Sequence, residues 1–214
     1  MGDPADFVRI NTVVAPLPLL PEIRLHLASE ITPLWHATEA SLERDQLPPP
    51  YWAFAWAGGQ ALARHLLDHP DLVRGKRVLD FGAGSGLVAV AAAKAGGIAT
   101  AAEIDPFACA AIGLNAALNG VEVAIEAGDV IGRDGAPWEI VLAGDMCYER
   151  PLAERLTAWL RALAARGVTV LLGDPGRAYL PKDGLQELAR HTVPTTLELE
   201  DRTSREAVVW RLLP

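Results

Sequence analysis

The sequence predicts an α/β fold: a mostly parallel sheet with helices on both faces and an antiparallel hairpin at its end. Three observations carry this expectation. Between Lys76 and Gly173, short β-rich runs alternate with helix-length segments, the pattern of right-handed strand–helix–strand crossovers. The end of the chain breaks that alternation, since Thr195–Glu200 and Ala207–Leu213 read as consecutive strands around a turn at Asp201–Arg205. Finally, 214 residues, half of them hydrophobic, suffice for one well-buried core but not for two ordinary domains and a linker.

Each element has its own signature. Residues 1–50 read as an irregular N-terminal extension packed on the core, rich in proline and ending in Pro48-Pro49-Pro50. Within it, Ile23–Ala28 is predicted as a strand, because Ile23, Leu25 and Leu27 alternate with Arg24, His26 and Ala28. Residues 51–214 are expected to form a single globular unit. A helix over Gly58–Leu67 carries an apolar stripe of Leu62, Ala63 and Leu66, and Pro70 closes it. Strands are predicted at Arg77–Phe81, Ala99–Glu103, Val123–Glu126, Glu139–Ala143 and Val168–Gly173. Helices fit Gly86–Ala95, Pro106–Leu118 and Leu152–Ala165.

Charge and cysteine content exclude several function classes. Twenty-seven acids against nineteen lysines and arginines leave a net charge of −8, which repels phosphate backbones and anionic membranes. Neither nucleic acid nor a membrane is expected as a partner. Cys109 and Cys147 are too few for a disulfide framework, and no Cys-x-x-Cys pair suggests zinc. The start, Met1 to Asp6, lacks a basic region, and its acids argue against a mitochondrial presequence. Charges, Gly or Pro interrupt the Ala-rich stretches well short of a membrane span. A soluble, cytoplasmic protein is expected.

Leu79-Asp80-Phe81-Gly82-Ala83-Gly84-Ser85-Gly86 is the most informative stretch. A buried strand ends in alternate glycines and runs into an Ala-rich helix. Glycine permits tight turning and close approach of a ligand, and the helix N-terminus offers free N–H groups to an anion. About 20 residues further on, the next strand ends at Glu103, where a carboxylate can accept hydrogen bonds from a ribose diol. An adenosine-bearing cofactor at the C-terminal edge of the sheet is therefore expected. A dinucleotide fingerprint needs Gly or Ala where Leu87 stands, and a Walker loop needs Gly-Lys-Ser/Thr.

The pattern Asp-x-Gly-x-Gly-x-Gly beginning at Asp80 resembles the first motif of class I S-adenosylmethionine (SAM)-dependent methyltransferases. That group has a Rossmann-like, seven-stranded sheet ending in an antiparallel hairpin. The resemblance implies that Asp80, Gly82, Gly84, Gly86 and Glu103 hold the cofactor. It also implies that Asp129 and Val130, after the third strand, face its adenine, and that Asp145, after the fourth, lies where the methyl group is transferred.

Three local patterns narrow the family. Pro50-Tyr51-Trp52-Ala53-Phe54-Ala55-Trp56-Ala57-Gly58-Gly59-Gln60 precedes the glycine loop, Gly144-Asp145-Met146-Cys147-Tyr148 follows the fourth strand, and Gly173-Asp174-Pro175-Gly176-Arg177 follows the fifth. In combination they resemble the lysine methyltransferases that modify the beta subunit of electron transfer flavoprotein. Ala57 and Cys147 depart from that pattern, at positions where a proline and a phenylalanine are more usual. Absence of a presequence then suggests a bacterial member. The resemblance implies SAM as cofactor, S-adenosylhomocysteine as product and the flavoprotein beta subunit as partner. It further implies Asp145 and Tyr148 as catalytic residues and Trp56 beside the cofactor.

Each assignment has a plainer alternative. Asp145 can orient a lysine nitrogen or cap the helix beginning near Pro151, and Tyr148 can wall the slot or fill the core. Trp56 can be a core residue. Asp174 and Arg177 can dock substrate or stabilise an Asp-Pro-Gly turn. His65 and His69, at helical spacing without a third ligand in view, read as a solvated helix end rather than a metal site. Cys109 reads as a small core residue, and Trp35, Trp138, Trp159 and Trp210 read as packing residues. Pro48-Pro49-Pro50-Tyr51 resembles the base-holding motif of nucleic-acid amino-methyltransferases only superficially, since no basic stripe accompanies it. Alternative functions are methylation of another protein lysine, such as one of a ribosomal protein, or of a small amine. A non-catalytic cofactor-binding module and an oxidoreductase stand further off.

Overall fold

Alternation along β3 (Arg77–Phe81) sets the layers. Val78 enters a core on one face of the sheet, while Leu79 and Phe81 enter a second core on the other. The same division runs through the neighbouring strands β4 (Ile98–Glu103), β6 (Ile140–Gly144) and β7 (Thr169–Asp174). The computed structural model describes residues 3–28, 49–133, 137–195 and 202–214. With β5 (Val123–Ala127), β8 (Leu185–Pro194) and β9 (Ser204–Leu212), the strands form a seven-stranded sheet in the order β5-β4-β3-β6-β7-β9-β8. Strands β3 to β7 pair in parallel, and β9 lies antiparallel to both β7 and β8. The expected α/β architecture is observed.

The first face is covered by α2 (Ala57–Asp68), α3 (Leu87–Lys94) and α4 (Pro106–Leu118). Among the described residues, α5 (Arg150–Ala165) alone covers the second, through Leu156, Trp159, Leu160 and Leu163. Trp159 packs against Phe81 and Trp138 at ring separations of 5.8 and 6.4 Å, as packing residues should. Trp35 lies outside the described residues. No described helix is long and apolar enough to cross a membrane.

Residues 3–28 are more regular than the irregular extension expected. Helix α1 (Pro4–Asn11) is capped by Asp3, whose carboxylate accepts from Ala5 N at 3.0 Å. Pro4 falls at the first turn, where its missing N–H costs nothing. Strands β1 (Val13–Leu17) and β2 (Leu20–Leu27) form a separate antiparallel pair. Pro16 is tolerated because β1 has a partner on one side only. Leu20, Ile23 and Leu25 are fully buried against α3 and α4. The outer edge of β2 is satisfied by Asn115 of α4 and by Asn119, the residue that caps the helix C-terminus. Asn115 Oδ1 accepts from His26 N at 2.8 Å, while Asn119 exchanges hydrogen bonds with both Arg24 N and Arg24 O.

The hairpin at the chain's end is present, but its first strand is displaced. Strand β8 covers Leu185–Pro194, whereas the expected strand began at Thr195, and 196–200 lie outside the described residues. β8 is an edge strand of which only Val193 is fully buried, so its alternation is faint and its charges resemble a loop. Helix α4 and β3 coincide with their predicted bounds. Strand β9 begins three residues before the predicted Ala207, within the predicted turn. Apart from β8, the other predicted elements of the main sheet and its helices differ by one or two residues at an end.

His65 corrects another expectation. It is buried rather than solvated, with its ring 4.6 Å from that of His69. Burial, then the charges of His69 and His191, push its pKa down to about 4, against the opposing pull of Asp68. The native state therefore keeps His65 neutral over a range in which the unfolded chain binds a proton. Its contribution to stability is present above pH 6.5 and is lost as pH falls towards 4. Urea unfolding of His65→Gln should show a flatter decline than the parent between pH 6.5 and 5.

Candidate active site

The strand ends converge on a cavity of about 550 Å³ at the C-terminal edge of the sheet. Gly82, Gly84 and Gly86 have φ of 63°, 52° and 77°, so the alternate glycines are required by left-handed backbone at all three positions. Gly86 is the N-cap of α3 and has no side chain to cap with. Asp80 does this from the strand below, its Oδ2 accepting from Ala89 N at 2.9 Å. Burial chiefly, and the nearby Glu103 charge, raise the Asp80 pKa to about 8. Glu103 is tied directly to the loop: Oε2 accepts from Gly84 N at 2.9 Å, and Oε1 accepts from Ile104 N and Asp105 N.

Asp145 reaches the cavity as expected, but it caps a different helix from the one near Pro151. Its Oδ2 accepts from Gly59 N, in the first turn of α2, at 2.9 Å. Its Oδ1 accepts from Arg177 Nη2 at 2.8 Å and Nε at 3.1 Å. Asp145 is the one non-glycine among the described residues with a positive φ, at 59°. The cause is close packing. A Cβ on Gly58 would overlap Gly173 O and lie 2.6 Å from Asp145 Oδ2, and one on Gly144 would lie 2.8 Å from Gly59 Cα. Helix α2 thus starts directly on the ends of β6 and β7. Burial raises the Asp145 pKa to about 6, with Arg177 and Gly59 N opposing the rise.

Aromatic rings rim this end. Trp56, immediately before α2, donates from Nε1 to Tyr51 O at 2.9 Å. Tyr51 stands 5.9 Å from Trp56 and 5.7 Å from Tyr148, both tyrosines being exposed, and the Arg177 guanidinium lies 5.6 Å from the Trp56 ring centre. Asp174 builds the turn that presents Arg177, accepting from Gly176 N at 2.7 Å and Arg177 N at 2.6 Å. Turn stabilisation and the placing of Arg177 at the site are therefore one arrangement. At the opposite end, Asp129 accepts from Ile131 N and pairs with Arg155 at 2.9 Å, and these contacts lower its pKa.

Trp56, Asp80, Gly82, Gly84, Glu103, Asp129, Asp145 and Tyr148 all line the cavity. Two expected cofactor residues do not. The Val130 side chain is fully buried in the core beside α5, because it turns under the sheet edge as Asp129 turns out. Gly86 faces α4, where a Cβ would sit 3.1 Å from Ile112, so it serves the loop's packing. Cys147 is buried and pushed up to about 12 by burial and by Asp174, which excludes a ready thiolate. Among the described residues no three His, Cys, Asp or Glu side chains are grouped to hold a metal.

Sequence reasoning missed Asn115. It is fully buried and donates to Ser85 O at 2.8 Å, linking the glycine loop to the N-terminal hairpin. An asparagine in an Ala-rich helix was the available signal. The glycine contacts make a paired prediction. Gly58→Ala drives a Cβ into backbone and should cost more than about 3 kcal/mol, beyond ordinary overpacking. Gly59→Ala meets only Val88 Cγ2 at 3.8 Å and should be nearly neutral, as urea unfolding of the two variants would show.

Comparison with known proteins fits this geometry. A family model described as ribosomal protein L11 methyltransferase (PrmA) matches residues 61–171. The electron transfer flavoprotein beta subunit lysine methyltransferase of Xenopus laevis is 39% identical over 221 residues, spanning 99% of this chain and 87% of its own. That of Homo sapiens is 36% identical over 219 residues, spanning 97% and 81%. In fold, the magnesium protoporphyrin IX methyltransferase of Synechocystis PCC 6803 with bound SAM aligns at a TM-score of 0.53 and 17% identity, over 84% of this chain and 93% of that one. Both relatives named are vertebrate proteins, so they lend no support to the bacterial placement. Identity above a third along nearly the whole length shows that the chain belongs to the family of electron transfer flavoprotein beta subunit lysine methyltransferases.

Proposed function

We propose that the protein transfers methyl groups from SAM to lysine side chains of the electron transfer flavoprotein beta subunit, releasing S-adenosylhomocysteine. The observation that carries this reading is the near full-length identity with relatives of that name. The cavity supports it. About 550 Å³ suits a ligand of nucleoside-plus-amino-acid size, and carboxylates stand at intervals along a largely apolar wall. Bound SAM supplies an electrophilic methyl on a sulfonium, and displacement at that carbon needs no metal.

The chain's own residues do the positioning. Gly82 and Gly84 let backbone approach the cofactor, Glu103 takes the ribose hydroxyls and Asp129 faces the adenine. Asp80, beneath the loop, suits a cationic amino group. Asp145 and Tyr148 flank the acceptor slot. The three donors on the Asp145 carboxylate leave acceptor capacity for a nitrogen of the incoming lysine. Tyr51, Trp56 and Tyr148 narrow the mouth and exclude water, which keeps the amine a nucleophile rather than a hydrated cation. The extension over residues 1–50 and the unit over 51–214 are proposed to act together, since Asn115 bridges hairpin and glycine loop. Two free cysteines suit a reducing compartment, and a cytoplasmic location is part of the proposal.

A second reading, methylation of a ribosomal protein lysine, is favoured by the family model matching residues 61–171. One experiment separates the two. With labelled SAM and extract from cells lacking the enzyme, the flavoprotein beta subunit should carry the label, on lysine by mass spectrometry. Label on a ribosomal protein supports the second reading, and label on arginine or an N-terminus removes both.

Glu103→Ala should weaken SAM binding by about 1.5–3 kcal/mol, the loss of charge-assisted hydrogen bonds. Unchanged affinity by calorimetry would remove Glu103 from the site.

A further inference from the structure

We propose that Arg177 sets the protonation state of the acceptor lysine, by cancelling the charge of Asp145 so that the lysine is held as a neutral amine. The inference rests on the methyltransferase reading above and concerns how that site handles a proton. It starts from a conflict. A lone carboxylate in the slot would bind lysine as its ammonium, and an ammonium has no lone pair with which to attack.

The structure shows how the conflict is resolved. Arg177 donates twice to Asp145 Oδ1 and lies over the Trp56 ring. It thus stands between a carboxylate and an aromatic face, the two surroundings an incoming ammonium would seek. The ion pair is nearly out of water, Asp145 being 8% and Arg177 19% exposed in their side chains. A second cation there gains little from Asp145 and is repelled by Arg177, which lowers the pKa of a lysine beside it.

The other groups facing the slot do not supply this charge. Asp174, under the turn, is an acid raised by burial. From the loop after β6, Cys147 and Tyr148 are both raised and so neutral, while Glu149 acts only as a further negative charge on Tyr148. Across the cavity stand Glu103 and Asp80, and Arg155 is paired with Asp129. In the reaction the lysine loses one proton to water. Its nitrogen lone pair then forms the N–C bond as the C–S bond breaks, leaving a methylated ammonium and a thioether.

The test is the pH dependence of single-turnover rates at saturating cofactor and lysine substrate, in which the alkaline rise reports the bound lysine. Arg177→Gln exposes the lysine to an uncompensated Asp145 and should move the rise to higher pH by about one unit or more. Asp145→Asn leaves Arg177 uncompensated and should move it the other way. Arg177→Lys, and the double variant Asp145→Asn/Arg177→Gln, should keep the parent position even with lower plateau rates. Calorimetric cofactor binding confirms that each variant is folded. If Arg177→Gln does not fold, a move to lower pH in Asp145→Asn that the double variant abolishes still carries the inference. Rises that coincide in all folded variants, whatever their plateaus, would reduce Arg177 to a structural role. A parent enzyme that methylates no lysine at any pH would instead overturn the functional reading.

Discussion

At its first turn helix α2 meets the strand ends without side chains between them. Gly58 and Gly59 on the helix face Gly144 and Gly173 at the ends of β6 and β7, and this contact determines most of what surrounds it. With the helix so close, its first free N–H groups point at the strand ends, where unsatisfied buried donors are costly. Asp145 meets one of them, at Gly59 N. To do so it must leave β6 with a left-handed backbone, which costs an L-residue about 1–2 kcal/mol and is tolerated best by Asn and Asp. A negative charge at a helix N-terminus recovers part of that cost.

The carboxylate placed there is buried, and a buried charge needs a partner. Arg177 provides it from the turn after β7. That turn is itself shaped by Asp174, the last residue of β7, so three motifs distant in sequence become one constellation. Trp56, just before α2, completes the constellation by offering its ring to Arg177. Close helix–strand packing therefore specifies both the position and the electrostatics of the acceptor slot.

How far this was legible in the sequence depends on where each signal resides. The central strands were placed within a residue or two because they are buried on both faces and bounded by glycines. The cofactor side was legible for a related reason: alternate glycines have a local cause, the positive φ at Gly82, Gly84 and Gly86. The edge strand β8 was misplaced and β1 was missed, because edges show weak alternation and tolerate proline and charge. Strand β2, by contrast, was legible from the alternation of Ile23, Leu25 and Leu27. Val130 was assigned together with Asp129 from the resemblance, yet beyond β5 the Val130 side chain turns into the core while Asp129 lines the cavity. Asp145 was placed at the cleft, while its bond to Gly59, 86 residues away, has no trace in local spacing.

The glycine loop shows the same dependence on distant partners. Its conformation is local, but its anchoring is not: Ser85 O is held by Asn115, which also holds β2 through His26 N. Asp80 fixes the loop from below through Ala89 N, and Glu103 fixes it from the side through Gly84 N. A loop held from three directions before any ligand arrives loses little freedom when one binds, and this preorganisation favours affinity. The acceptor end is built likewise, with Asp145 held by α2 on one oxygen and by Arg177 on the other. A reaction that consists chiefly of aligning a nitrogen, a carbon and a sulfur gains most from rigidity at both ends of one cavity.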